Sequence, residues 1–589
     1  MRRSGLVKRA TRRLLSLLAR MLIGVGRFIS RSRPARWIAG QSVFKFVVRI
    51  IIVSARFLEE RIWRTRRYFH FLSKGIRRSR WFCFSWMIFL ALVAGSAVGV
   101  LIILNPKLAA ILVLGLLFAA FLIVKPFEAF LIWIVLSPLL YTSVGPSLGF
   151  MIPDITFDRM ALPGLLLVVV IQKMRRGGQK PKLDFLDMAV AGFVIVGVIN
   201  IVMTRLTVTE MLVSDFLRMR DLTASIRSFG DHYLLAFATF YIVRNLVDSK
   251  QKIGAVMTAI VLVAVYSAPI GIYEHIVGKS WFTATGELGG YGDEMVARAG
   301  GPFRSPFIFG AVMGACLIMA IHKYLEWKTL RKYLLLPLMS AIGISLALTY
   351  TRTAWIAPGV GLITLAILYE SKRRLLMTCV ALGLITLLLV MPMIQAQPIL
   401  KARISEQAPI NARILIWHNS VEMFKDKPLF GVGVGNFNYF KRFYPVYMPE
   451  LGQRYQVGPT SHNTFMTILV EVGLIGFLPY AAILLIVAWR WLVTYRRCPG
   501  ILAIGGRELV ATIGVSTICY LITANTMDTR SFRFVMYLFW LLLGLICVQY
   551  GMLKKQPVGE IEGEKQHVDH PRSRRISRFK VPHPTENIV

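Results

Sequence analysis

The stretch GPTSHNTFMTILVEVGLIG, residues 458–476, sets His462 and Asn463 at the lip of a long apolar run that also takes in Glu471. A plain membrane span carries Trp, Tyr, Lys or Arg at its edges and no acid inside. The run is still long enough to cross a bilayer as a helix, and comparable runs recur from Trp81 nearly to the C-terminus. Of the 589 residues, 56% are hydrophobic and 17% are charged, and the mean hydropathy is +0.59. Soluble chains carry about 25% charged residues. The sequence therefore reads as an all-α polytopic integral membrane protein of roughly 12–14 transmembrane helices.

Working outward from that lip, charge orients the spans. The connections KMRRGGQKPK, RNLVDSKQK, HKYLEWKTLRK, ESKRRL and RWLVTYRRCPG fall on alternate sides of successive spans, with both termini. All are basic, which makes their side cytoplasmic. The opposite side receives large loops near 204–231, 274–304 and 394–462, and the last is expected to contain short helices. His462 thus stands where the longest external loop re-enters the membrane. The expected organisation is a basic amphipathic N-terminal region (1–80), transmembrane helices (81–393), the long periplasmic loop (394–462), C-terminal transmembrane helices (463–550) and a polar cytoplasmic tail (551–589).

Half of the formal net charge of +40 sits in residues 1–80, where 22 Lys and Arg face only Glu59 and Glu60. These cations are interleaved with apolar residues, as in LLSLLARMLIGVGRFI, which suits an anionic membrane surface better than nucleic acid. No cleavable signal peptide is expected, because no short apolar core with a small-residue cleavage site follows the basic start. Six cysteines lack metal-ligand spacing, and none lies in the long polar loops. The reading assigns no cofactor and no metal.

Several polar residues stand out against this background. In GPTSHNTF the Ser and Thr suit a helix cap, and His462 can take a proton from a hydroxyl. Its bland alternative is an interfacial residue completing the cap. Glu471 needs a partner within the membrane, and a structural ion pair with an arginine is the expected role. TYTRTAW places Arg352 in a short outer connection where topology needs no cation, and RAGGPFRSPF adds Arg298 and Arg304 before another span. Guanidinium groups offer paired donors to a diphosphate, against the alternative of snorkelling to lipid phosphates. In the loop, Arg413 and Trp417 are spaced i,i+4 and His418 follows. Gly431, Gly433 and Gly435 form GxGxG with no βαβ unit around it, which reads as a glycine-rich bend rather than a nucleotide site.

On these residues the sequence resembles the bacterial O-antigen ligases and the related O-antigen and exopolysaccharide polymerases. The matching segments are TRTAW (351–355), RILIWHNSVEMFKDKPLFGVGVGNF (413–437), SHNTFMTILVEVGLIG (461–476) and the span entry RAGGPFRSPFIFG (298–310), and the similarity runs over about 85–550. The resemblance implies a metal-independent membrane glycosyltransferase of the bacterial inner membrane. It would take glycan from a polyprenyl-diphosphate carrier and pass it to a sugar or lipid A-core acceptor. It also implies that His462 and Arg352 are catalytic, with Arg352, Arg298 and Arg304 as candidate diphosphate ligands and Asn463, Glu471, Arg413, Trp417 and His418 in support. Membrane lipids and envelope polysaccharide assembly proteins are the expected partners, and nucleic acid is not. The basic N-terminus and two extra spans depart from the family pattern. The rival readings are a transporter or flippase of lipid-linked saccharides and a membrane anchor for an assembly complex.

Overall fold

The computed structural model describes residues 117–140, 156–175, 184–207, 222–280, 298–381, 408–444, 446–448, 453–455, 461–498 and 505–555, with a few isolated neighbours. The basic N-terminal region, the part of the expected transmembrane region before residue 117 and nearly all of the tail lie outside these residues. So do half of the expected loop at 204–231 and large parts of those at 274–304 and 394–462.

Leu114–Val589 forms one compact unit. Its helices are α1 (Pro126–Leu140), α2 (Phe157–Arg175), α3 (Phe185–Thr207), α4 (Leu222–Phe229), α5 (Leu235–Leu246), α6 (Lys250–Val277) and α7 (Pro306–Glu326). They continue with α8 (Leu335–Ala347), α9 (Arg352–Leu368), α10 (Ala408–Asp426), α11 (Thr464–Arg497), α12 (Gly506–Ala524) and α13 (Arg533–Lys554). Among the described residues, seven helices are long and apolar enough to cross a membrane, or eight if Arg352–Leu368 and Glu370–Ala381, bent by 92°, form one broken span. The protein is an all-α polytopic membrane protein. One small addition lies in the 394–462 segment, where β1 (Val446–Met448) pairs antiparallel with β2 (Gln453–Tyr455).

Helix α13 lies at the centre. Its sequence RFVMYLFWLLLGLICVQYGMLK is apolar all round, and both its faces are buried. Trp540 is wedged against Phe237 of α5 (ring centroids 4.5 Å apart), Phe240 (5.8 Å) and Tyr480 of α11 (6.2 Å). Such tilted and edge-on aromatic contacts fill volume and add attraction beyond area burial. Elsewhere small residues let backbones approach: a Cβ on Gly310 of α7 would stand 2.2 Å from that of Ala354 on α9.

Ion pairs tie the basic end of the bundle together, with Arg490 on Asp184, Arg507 on Glu370 and Arg244 on Asp187. The opposite end carries His462, and there the chain departs from regular helix.

Helix α11 is broken at Gly473, whose φ of 63° and ψ of −172° are not helical. The break frees backbone groups that a membrane interior cannot hydrate. Residues 428–433 supply the missing partners. Val432 N–H donates to Val470 O (2.9 Å) and Gly433 N–H to Glu471 O (2.9 Å), while Leu474 and Ile475 donate to Pro428 O and Leu429 O (2.8 and 3.1 Å). The glycines of the expected bend serve this pairing. A Cβ on Gly431 would come within 2.4 Å of Val470 O, and one on Gly473 within 2.3 Å of Leu429 O. Asn200 of α3 fastens both strands of the junction: its amide donates to Phe430 O and Glu471 O, and its carbonyl accepts from Val434 N–H at 2.9 Å.

Candidate active site

Asn463 caps α11, its side-chain oxygen accepting from the N–H groups of Phe465 and Met466, each at 3.0 Å. The sequence pattern favoured Ser or Thr for this task, and the structure corrects it. Ser461 turns inward to Asn463 O (2.6 Å) and the Thr467 hydroxyl, leaving the cap to the asparagine. His462, immediately before the cap, is held at a φ of 51°. Among the described residues the non-glycine residues at positive φ are Arg304, Tyr350 and His462. Each is a site candidate or lies within two residues of one. Backbone strain of this kind gathers at functional sites.

Three cationic positions meet here although they are far apart in sequence. Burial lowers the Arg413 guanidinium from its ordinary range, and the charge of Arg352 lowers it further. Burial likewise lowers the His462 imidazole, with the charge of Arg413 adding to the effect and Asp528 opposing it. Arg352 starts α9, Arg413 lies on α10 and His462 precedes α11, so three elements bring positive charge to one place. Trp417 fixes two of them together, its indole N–H donating to Ser461 O at 3.2 Å. His462 Nδ1 is enclosed and, among the described residues, has no hydrogen-bond partner. The imidazole is thus biased towards its neutral form beside the Arg413 guanidinium, which in turn neighbours Arg352, an arrangement suited to an anion and a nearby hydroxyl.

The other candidates are placed differently. Arg298 is buried, and its guanidinium donates to Thr349 O (3.0 Å), Tyr350 O (3.4 Å) and the Thr351 hydroxyl (2.6 Å). It secures the turn that presents Arg352. Arg304 is exposed on the following turn. Glu274, at the end of α6, accepts from the N–H groups of Gly300 and Gly301 (3.1 and 2.6 Å) and so anchors the segment that carries Arg298. His418 is exposed on α10.

Glu471 accepts from Arg530 Nη1 at 2.6 Å and from Phe437 N–H at 3.4 Å. Arg530 also donates to both oxygens of Asp528 (2.9 Å each) and to the Tyr233 hydroxyl (2.9 Å). Burial alone would raise the Asp528 carboxyl, but the charge and hydrogen bonds of Arg530, aided by His232, hold it below its usual value. The sequence reading passes over Asp528, Arg530 and His232. For the first two a signal was present: TMDTRSFR packs an acid and two arginines into a short link between apolar runs, as TYTRTAW does with one. His232 and Tyr233 belong to a π-helical turn, Gly230–Leu234, between α4 and α5. Nothing in GDHYL announces it.

A helical membrane bundle with a cationic, histidine-bearing site at one end is what this geometry defines. Residues 335–481 match the family model described as O-antigen ligase, Wzy_C. The match spans Arg352, Arg413, Trp417, His462, Asn463 and Glu471. It bears out the resemblance to the O-antigen ligase and polymerase family, and with it a membrane glycan ligase or polymerase role. No curated protein matches the chain.

Proposed function

We propose that the chain is a glycosyltransferase that takes glycan from a polyprenyl-diphosphate carrier at the periplasmic face of a bacterial inner membrane, both termini being cytoplasmic. The observation that carries this is the convergence of Arg352, Arg413 and His462 at the strained end of the bundle. An acceptor hydroxyl attacks the anomeric carbon, and its oxygen forms the new glycosidic bond as the bond to the carrier phosphate breaks. The proton passes to His462, and the diphosphate leaves on the lipid as an anion. Arg352 and Arg413 stabilise the charge that grows on it, a task that preorganised donors perform best away from bulk water. Arg298 acts through the turn it holds.

Guanidinium groups take the place that a divalent cation fills in other diphosphate sites. Among the described residues no cluster of three or more His, Cys, Asp or Glu side chains could hold a metal ion. Polymerisation is preferred over ligation, because no feature reads out a lipid A core.

The break at Gly473 is the feature that best suits the transporter reading, since transporters line substrate sites with broken helices. Here residues 428–433 and Asn200 take up the groups at the break. That favours an enzyme with a fixed frame.

The test uses purified protein in liposomes with a lipid-linked oligosaccharide and EDTA. Wild type is expected to form product, and His462→Ala and Arg352→Ala are each expected to lose about 10²–10³-fold in kcat. Undiminished turnover in both variants would remove the proposed site. Carrier translocation without product would establish the transporter.

A further inference from the structure

Helix α9 starts at Arg352 and ends in a sharp turn at the basic end of the bundle. After Leu368 the chain bends by 92° into the helix Glu370–Ala381. Side chains from three neighbouring helices fix this bend. Tyr369 is buried, and its hydroxyl pairs with His322 Nδ1 of α7. The Tyr495 hydroxyl of α11 donates to Leu368 O at 2.9 Å. Arg507 of α12 pairs with Glu370, and its guanidinium lies over the Tyr495 ring, 5.3 Å from the centroid.

A bend held this way needs no further charge, yet three cations follow it. Lys372, Arg373 and Arg374 are all exposed, and among the described residues none of them has a hydrogen bond or ion pair. Arg373 and Arg507 both act electrostatically on Tyr495, as do Glu370 and Glu508, so the charges of two elements gather at one place. Four cations stand there against two carboxylates, and Arg507 already occupies Glu370. A cleft of about 490 Å³ opens among them, lined by Glu370, Ser371, Lys372, Arg373, Arg374 and Leu375. It lies at the start of a helix, where the dipole adds to the attraction for an anion.

Beyond the cations the surface changes character. Leu375 and Met377 are exposed, whereas Leu376 joins the buried cluster that holds Tyr369 and Val515. The outward surface is thus cationic at its entry and apolar after it. A phospholipid has the same order, a charged headgroup followed by acyl chains.

We propose that the bend at Tyr369 and the start of Glu370–Ala381 form a binding site for an anionic phospholipid of the adjoining leaflet. Lys372, Arg373 and Arg374 receive the headgroup phosphate, and the chains lie along Leu375 and Met377. Basic connections between spans also set topology, which requires no binding. That role leaves the cleft and its apolar continuation unexplained. Helix α9 has 17 residues, so the site stands roughly 24 Å from Arg352 and does not depend on the glycosyltransferase reading.

The test uses full-length protein in phosphatidylcholine nanodiscs doped with a photoreactive phosphatidylglycerol, the crosslinked peptides being mapped by mass spectrometry. Wild type is expected to take label within 370–381. Combining Arg373→Gln with Arg374→Gln should lower labelling of that segment roughly tenfold. Lys328→Gln with Arg331→Gln removes the same charge from another exposed connection at the basic end and should leave that labelling nearly unchanged. Plain phosphatidylglycerol should compete with the label, and inorganic phosphate should not. Both double variants should unfold at the wild-type temperature in pure phosphatidylcholine, so that a lost label reports the site and not the fold.

Equal labelling of 370–381 in wild type and in the Arg373/Arg374 variant overturns the site, as does its absence from wild type. An equal loss in the Lys328/Arg331 variant overturns it too, by reducing the attraction to net charge. Displacement by inorganic phosphate would overturn the lipid as the ligand.

Discussion

The Arg530 guanidinium lies 2.6 Å from the Glu471 carboxylate, the two side chains being 5% and 3% exposed. Arg530 bonds Asp528 and Tyr233 at the same time, so one cation joins the α12–α13 link, α11 and the π turn before α5. Removing one member of a buried pair strands the other charge, which costs about 3–5 kcal/mol. Arg530→Met should lower stability by that order, measured by thermal unfolding in detergent. Glu471→Gln keeps an acceptor for Arg530 and for Phe437 N–H and should cost clearly less. An Arg530→Met protein as stable as wild type would show that the network is dispensable.

Gly473→Ala puts a Cβ at positive φ against Leu429 O. Strained backbone of this kind costs about 1–3 kcal/mol before any clash is counted. Both Gly473→Ala and Gly431→Ala should therefore lower the unfolding temperature and open the 428–433 segment to protease. Gly359→Ala is the control, since a Cβ there meets nothing within 4 Å and the site is mid-helix. It should be neutral or slightly stabilising. Equal behaviour of the three variants would contradict the pairing.

How much of this the sequence showed follows from range. Membrane class needs only composition and run length, and the capping position of 461–464 needs only residue type, though not which residue caps. Arg352 and His462 stood out because each breaks a local rule for a span edge, and Arg413 by its i,i+4 spacing with Trp417 in the loop. Their convergence did not, because 61 residues separate Arg352 from Arg413 and 49 separate Arg413 from His462. Asn200 was illegible for the same reason. One asparagine in an apolar span says nothing of a junction 230 residues away. Gly473 read as part of a continuous helix, since glycine is common in membrane helices.

In the proposed reaction the acid limb of turnover reports His462. Burial, then Arg413, lowers its pKa below the ordinary 6.5, and the neutral form is the base. The midpoint of the acid limb should therefore fall below 6.5, the neutral imidazole being lost as pH falls through the lowered pKa. Arg413→Gln removes one of the two lowering causes, so its acid limb should move up towards 6.5 while burial keeps it from going further. A limb that stays put in Arg413→Gln, or moves down, would mean that His462 is not the titrating group.

Arg298 and Arg304 give opposite expectations although six residues separate them in one motif. Arg298 spends its donors on Thr349 O, Tyr350 O and the Thr351 hydroxyl, and its loss removes all three bonds from the turn, although Thr349 O keeps the Thr351 hydroxyl. Hydrogen bonds from a charged group are worth about 1.5–3 kcal/mol each, so Arg298→Ala should destabilise by at least that much. Arg352 would then be presented from a loosened turn, and kcat should fall at least tenfold with the donor KM little changed, because small misplacements of a charge-stabilising group act on the transition state. Arg304 is exposed and sits at a φ of 55°. Arg304→Gly suits that backbone and should keep the unfolding temperature and turnover within about twofold of wild type. The decisive measurement is the donor KM of both variants. A large rise confined to Arg304→Gly would make the exposed arginine the diphosphate ligand and leave Arg298 a structural role alone.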